Sequence, residues 1–126
     1  YMDVFIKFDT ETLTGYALRF IRTTKFHNAV DCLFVRYENG TVAEISEPVS
    51  TTCYRTPCTI TLKVKGNILS AHAESPAGPE AAQNRPGVAG EVNMKAEIRT
   101  NPFGGFGIQY KGGAPTLIKE LKVEWE

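Results

Sequence analysis

Four side chains in the predicted strands have the chemistry to recognise a polar ligand: Arg19, Asp31, Tyr37 and Gln109. Arg and Gln carry planar groups of hydrogen-bonding atoms, and Tyr carries an aromatic face. Together these groups are typical of a carbohydrate-binding surface. Each residue also has a plain structural interpretation that the sequence leaves open, namely a solvated side chain or a local ion pair.

The positions of Arg19 and Gln109 depend on how two strands pair. Arg19 points away from Tyr16, Leu18 and Phe20 in the predicted strand Gly15–Thr23. Gln109 likewise points away from the bulky face of Phe103–Tyr110. Gln109 stands beside Gly107, where the strand face is bare. We expect the two strands to be neighbours, which would place Arg19 and Gln109 close together on one surface.

Asp31 and Tyr37 share one face of the predicted strand Ala29–Tyr37. Both faces of this strand are apolar enough to meet a core, because Leu33 and Val35 lie on the side of Asp31 while Val30, Cys32 and Phe34 lie opposite. Asp31 is therefore a solvent-facing acid, an ion-pair partner of Arg19, or a ligand-binding residue.

The carboxylates of the chain do not form a recognisable catalytic pair. Glycoside hydrolysis needs two facing carboxyl groups roughly 5–10 Å apart, whereas Glu44, Glu47, Glu91 and Glu97 are scattered along the sequence. The glycine-rich stretch near residue 105 follows no strand–helix pattern, so it does not predict a phosphate-binding loop. We predict no catalytic residues.

Metal binding has little support in the spacing of the ligand types. No Cys-x-x-Cys pair is present, and His27 and His72 are expected to be surface or satisfied core histidines, which argues against structural zinc. We therefore predict no metal-binding residues. Calcium stays open, because Asp3, Asp9 and Glu11 could supply oxygen ligands although they lack the Asp-x-Asp-x-Asp spacing.

The three cysteines allow two interpretations. Cys32 lies in a hydrophobic strand and is predicted to be a buried free thiol. Cys53 and Cys58 could close a small disulfide loop, as in a periplasmic or extracellular protein, or they could remain two thiols.

The ligand-binding candidates must be positioned by strands, because the chain is patterned for β-structure almost throughout. We predict the strands Met2–Phe8, Gly15–Thr23, Ala29–Tyr37, Thr41–Ile45, Cys58–Lys65, Ile68–Ala73, Glu91–Arg99, Phe103–Tyr110 and Thr116–Trp125. A helix is the competing prediction for the last of these. Asn39-Gly40 and Gly66-Asn67 predict two-residue hairpin turns. Ser46–Pro57 is predicted to be a connection, and Glu74–Gly90 is predicted to be a long exposed loop.

The length and charge of the chain limit the number of domains and the kinds of partner that it can have. The 126 residues fit a single domain, 1–126, and the 14 basic and 14 acidic side chains cancel. This balance argues against nucleic acid or an anionic membrane as a partner, and no apolar run is long enough to span a bilayer. The predicted fold class is all-β, an antiparallel β-sandwich of two curved sheets rather than a barrel.

Several segments carry a family resemblance. Gly15–Phe20 (GYALRF), Val64–Leu69 (VKGNIL), Gly104–Gln109 (GGFGIQ) and the closing LKVEW resemble the concanavalin A-like lectin/glucanase superfamily. More narrowly, the chain is similar to laminin-G-like jelly-roll domains of secreted bacterial polysaccharide-processing proteins. The resemblance implies a jelly roll with a concave face that in many relatives holds carbohydrate, and calcium sites are common in relatives of this architecture. Glycosidases of the superfamily carry a Glu-x-Asp-x-x-Glu type strand, which this chain lacks.

The resulting expectation is a non-catalytic carbohydrate-binding or accessory domain of a secreted glycan-processing protein. Residue 1 is Tyr and a strand follows at once, which we interpret as a processed chain or a domain of a longer exported protein, located in the periplasm, outside the cell or at its surface. One alternative is a structural module that packs on a neighbouring domain of the same polypeptide without binding sugar. The other is a glycoside hydrolase or lyase with unrecognised carboxylates. A sheet face filled by the protein's own side chains would favour the structural module.

Overall fold

The computed structural model describes residues 1–23, 25–53, 57–99 and 104–111. Within them the strands are β1 Met2–Asp9, β2 Thr14–Arg22, β3 Val30–Glu38, β4 Thr41–Glu44, β5 Val49–Thr51, β6 Thr59–Lys65, β7 Ile68–Glu74, β8 Val92–Glu97 and β9 Gly105–Tyr110, with one short helix, α1, at Gly78–Ala82. This confirms the all-β class. The predicted last strand, Thr116–Trp125, and the helix that competes with it lie outside the described residues.

The strands form two antiparallel sheets. The larger sheet has the order β4-β3-β2-β1-β9, and β5 pairs with the same edge of β3 as β4 does. The smaller sheet has the order β6-β7-β8. Both predicted hairpin turns are confirmed: Asn39 and Gly40 have φ of 51° and 83° between β3 and β4, and Lys65 pairs with Ile68 across the second turn.

The main core lies between the two sheets. β2 and β3 of the larger sheet contribute their even-numbered side chains, and β7 and β8 of the smaller sheet contribute apolar residues from the opposite side. The buried members include Tyr16, Leu18, Phe20, Cys32, Phe34, Leu69, Ala71, Ala73 and Val92. The predicted burial of Cys32 is confirmed. The alternation of β6 and β7 turns the threonines and lysines of the smaller sheet toward solvent.

A β-bulge in β1 changes the face on which Phe8 lies. The pairing of β1 with both neighbours shifts register after Ile6 and Phe5, and Lys7 takes a φ of 55°. Strict alternation predicts Phe8 on the same face as Ile6, and this prediction is wrong. The extra residue instead turns Phe8 onto the face of Phe5, where the two rings lie 4.4 Å apart.

The predicted loop Glu74–Gly90 is more ordered than expected. It contains α1, with Pro79 in the first turn, and the Thr52 hydroxyl donates a hydrogen bond to the Gly78 carbonyl. Ala89 forms backbone hydrogen bonds with Ser50 and Thr52 in and beside β5, a strand that lies within the predicted connection Ser46–Pro57. α1 is too short to cross a membrane, and the described residues contain no other helix.

Candidate functional site

The candidate residues on β1, β2 and β9 lie in one cross-strand row of the larger sheet. Asp3 pairs with Arg19 on one side and with Gln109 on the other. The expectation that Gly15–Thr23 and the glycine-rich strand are neighbours is therefore wrong, because β1 runs between them. Arg19 and Gln109 share a face, but they are separated by Asp3 and by about 10 Å, the width of two strand spacings.

Arg19 is held by Asp3, a carboxylate that the sequence suggests only as a calcium ligand. Its Nε donates to Asp3 Oδ1 at 2.8 Å and its Nη2 donates to Asp3 Oδ2 at 2.9 Å, which is a bidentate ion pair. The hydroxyl of Tyr37 donates to Asp3 Oδ2 at 2.5 Å and accepts a hydrogen bond from Arg19 Nη2 at 2.9 Å. These three residues form the Asp3 cluster.

The Asp3 cluster is largely closed to water. The Asp3 side chain has no exposed surface and the Arg19 side chain is 16 % exposed. The hydrogen bond to Asp3 raises the pKa of Arg19 above its ordinary value, while burial and the hydrogen bond to Asp3 raise the pKa of Tyr37 to about 12. At neutral pH the cluster thus contains a paired guanidinium and carboxylate and a protonated phenol.

Apolar side chains fill the same sheet face beside the Asp3 cluster. Phe5 and Phe8 pack on the Tyr37 ring, with ring centres 5.4 and 5.5 Å from it, and these rings belong to a second core cluster that also holds Ala17, Leu33 and Val35. Both sides of β3 are buried, one in the main core and the other in this second cluster. Arg19 and Tyr37, which were both candidates for contacting a sugar, instead contact each other.

Asp31 does not bind Arg19, although that was one of its three predicted roles. Ser50 Oγ donates to Asp31 Oδ1 at 2.6 Å, because β5 pairs with the end of β3 and brings Ser50 opposite Asp31. The calcium candidates are also separated. Asp3 is used by Arg19, while Asp9 Oδ1 accepts the backbone N–H of Glu11 at the far end of β1.

Two depressions lie away from the Asp3 cluster. One, of about 260 Å³, is lined by Tyr16, Arg36, Ile45, Asn67, Glu97, Ile98 and Arg99. The other, of about 610 Å³ and open to solvent, is the Phe26 depression, lined by Lys25, Phe26, Pro48, Val49, Ser50, Gly87, Val88 and Ala89. None of the four predicted ligand-binding residues lines either of these depressions, although Ser50, which is hydrogen-bonded to Asp31, lines the Phe26 depression.

One carboxylate pair does approach the separation used by retaining glycosidases. Glu74 and Glu91 flank His72, and the ligand atoms of the three residues lie within 4.8 Å of one another. The Glu91 carboxylate raises the pKa of His72 by accepting its hydrogen bond. However, both acids are at least half exposed on the outer side of the smaller sheet and line neither depression.

Cys53 and Cys58 are free thiols in contact with each other. The Cys58 thiol donates to the Cys53 sulfur, which lowers the pKa of Cys53 and raises that of Cys58. Cys32 lies close by in the core, and burial raises its pKa. Cys53 is fully buried, whereas Cys58 is half-buried.

These observations define an all-β protein of two antiparallel sheets whose larger sheet encloses a buried ion cluster on the face away from the smaller sheet. No family model, curated protein or solved structure matches the chain. Conclusions about function must therefore come from the arrangement of the residues themselves.

Proposed function

We propose that the protein is a non-catalytic accessory domain of the concanavalin A-like jelly-roll type, which packs on a neighbouring domain of an exported polypeptide. The observation that supports this most directly is the use of Arg19 and Tyr37 inside the Asp3 cluster. Groups already bonded to one another are not free to bind a sugar.

The energetics of the Asp3 cluster favour a structural role over a binding role. A buried carboxylate that loses its partner costs several kcal/mol, so Arg19 is held firmly where it is. A sugar hydroxyl could use Arg19 only by displacing Asp3 or Tyr37. With the rings of Phe5, Phe8 and Tyr37 packed together beside it, this face has the character of a scaffold.

Affinity electrophoresis on plant, algal and host polysaccharides, combined with thermal unfolding, tests this proposal. We expect no retention of the wild-type chain, a large loss of stability in Arg19→Ala, and no loss in Gln109→Ala, because Gln109 is exposed. Retention of the wild-type chain that Gln109→Ala abolishes without a change in melting temperature would overturn it.

Carbohydrate binding at the Phe26 depression is the second candidate function. This depression combines an aromatic ring at Phe26, an ammonium group at Lys25 and the Ser50 hydroxyl that is bonded to Asp31. Its volume of about 610 Å³ lies in the range of small-molecule sites. The predicted residue Asp31 would then act by positioning Ser50 rather than by contacting the sugar.

The two candidates make different predictions for the same assay. If the Phe26 depression binds sugar, retention on one polysaccharide should be lost in Lys25→Ala and Ser50→Ala and kept in Gln109→Ala. Lys25 is exposed, so its replacement should leave the melting temperature unchanged. Retention that survives both replacements would exclude this depression as the binding site.

A further inference from the structure

A histidine and two glutamates converge on the outer face of the smaller sheet. β7 supplies His72 and Glu74, which lie two residues apart and so share one face of the strand. His72 Nε2 is hydrogen-bonded to Glu91 Oε1 and lies 3.8 Å from Glu74 Oε2. Since all three ligand atoms fall within 4.8 Å of one another, they face a common point.

The register of β7 and β8 explains why the two carboxylates meet. Ala73 pairs with Val92 at the end of the two strands, so Glu74 and Glu91 are the next residues along the two antiparallel segments and approach each other. Like charges placed opposite each other in an antiparallel pair are destabilising. Among the ion pairs of the described residues, His72 is the one basic partner of either acid.

The nearby lysines lie too far along the strands to neutralise this pair. Lys63 and Lys95 flank Ser70, which is one cross-strand row beyond His72 and two rows beyond Glu74. The row of His72 contains Thr61 and Asn93, which are uncharged. The site therefore concentrates two negative charges and one imidazole with no lysine or arginine in its two rows.

We propose that His72, Glu74 and Glu91 form a binding site for a divalent transition-metal ion, with Zn²⁺ as the best fit. One imidazole nitrogen and carboxylate oxygens are the ligand types that Zn²⁺ takes in proteins, at distances of about 2.0–2.2 Å. A bound ion would replace the hydrogen bond between His72 and Glu91 and would remove the repulsion between the acids. Three protein ligands leave a fourth position for water or for a group from a partner.

Titration of the whole chain with Co²⁺ and Zn²⁺ tests the proposal. Co²⁺ is the diagnostic probe because ligation by thiolates produces a strong near-ultraviolet charge-transfer band, whereas ligation by imidazole and carboxylate does not. This distinction matters because Cys53, Cys58 and Cys32 are free thiols. We expect one ion per chain, bound without the thiolate band.

Three variants identify the site. His72→Gln and Glu91→Gln should each weaken Zn²⁺ binding at least tenfold, while Glu97→Gln, an exposed acid on the same strand pair, should bind like the wild type. Equal affinity in His72→Gln, a thiolate band on Co²⁺ binding, or no saturable binding would overturn the proposal. The experiment is independent of polysaccharide retention, so it can fail or succeed separately from the proposed function.

Discussion

A carboxylate with no exposed surface is held inside the larger sheet at Asp3. Replacing Arg19 by Ala would leave this charge buried and unpaired, so we expect the free energy of unfolding to fall by about 3–5 kcal/mol. Urea unfolding followed by circular dichroism measures the loss. Arg22→Ala is the matched control, because Arg22 is an exposed arginine on the same strand, and it should stay within about 0.5 kcal/mol of wild type. Similar stabilities for the two variants would show that Asp3 does not depend on Arg19.

Tyr37 should make the free energy of unfolding depend on pH in the alkaline range. Its pKa is raised from 10.0 to about 12, so the folded chain keeps a proton that the unfolded chain loses as the pH passes 10. Stability from this group is complete below pH 10 and is lost as the pH rises to 12. Tyr37→Phe should be less stable than wild type at neutral pH by about 1.5–3 kcal/mol, and this gap should narrow between pH 10 and 12. A gap that stays constant in urea unfolding across that range would contradict the assignment.

The residues of the Asp3 cluster illustrate what alternation in a sequence can predict. Period two correctly separates Arg19 from Tyr16, Leu18 and Phe20 and places Tyr37 opposite Cys32 and Phe34. It does not identify partners, since a partner depends on strand order and register. Asp3 is missed as the partner of Arg19 because it lies 16 residues away on a strand whose place between β2 and β9 is a tertiary property.

At the level of strands, the bulge in β1 depends on two glycines that approach it from both sides. A Cβ on Gly15 of β2 would lie 2.5 Å from the Lys7 carbonyl oxygen, and a Cβ on Gly104 would lie 2.4 Å from the Lys7 carbonyl carbon. Both glycines also have a φ of 154°, which side chains disfavour. They allow β2 and β9 to close on the irregular part of β1.

Gly15→Ala should therefore destabilise the protein by about 3 kcal/mol, because the neighbouring atoms are backbone and cannot rotate away. Gly107→Ala is the control on β9, since a Cβ there would meet nothing within 4 Å. It should be neutral or slightly stabilising, by less than about 1 kcal/mol. Equal urea midpoints for the two variants would indicate that β2 does not approach the bulge closely.

The connection between β5 and β6 carries two free thiols, Cys53 and Cys58, which we expect to form a disulfide on oxidation. Glutathione disulfide should accept two electrons and two protons from Cys53 and Cys58, forming one intramolecular disulfide and two glutathione thiols. Exchange should begin at Cys58, because it is half-buried and therefore the thiol that glutathione disulfide can reach. Cys53, which is fully buried and has the lowered pKa, should then attack the mixed disulfide and release the second glutathione. Intact-mass measurement should show the loss of two hydrogens, and the Cys58→Ser variant should show none. A stable mixed disulfide on the wild-type chain would argue against the pairing.

Turn chemistry predicted the hairpins of the fold better than composition predicted its connections. Asn39-Gly40 fixes the β3–β4 hairpin because its residues accept positive φ. The segment around Val49 has no such local signal, and it becomes β5 only because the edge of β3 offers unpaired backbone groups. The bulge at Lys7 likewise could not be predicted from the apolar pattern, because that prediction assumes strict alternation.

Across the whole molecule, the two sheets differ in how they are buried. The larger sheet has buried side chains on both faces of β2 and β3, whereas the smaller sheet is apolar toward the core and polar outside. Such a division is predictable in part, because β6 and β7 alternate cleanly while β3 is apolar on both sides. Which apolar side meets the second sheet is decided by packing, and the sequence alone leaves it undetermined.

This difference in burial predicts the order in which backbone amides exchange with solvent. β2 and β3 pair with strands on both edges. Among the described residues they contribute five of the eleven buried members of the main core and four of the five of the second cluster, so their amides should exchange only through global unfolding. All four residues of β4 are exposed, although β4 pairs with β3 in the same sheet. Its amides should open locally and exchange at least about tenfold faster than those of β2. Hydrogen exchange resolved by peptide mass spectrometry measures both strands in one sample. Equal protection of β4 and β2 would mean that the larger sheet unfolds as one unit, and that burial of its side chains does not set its local stability.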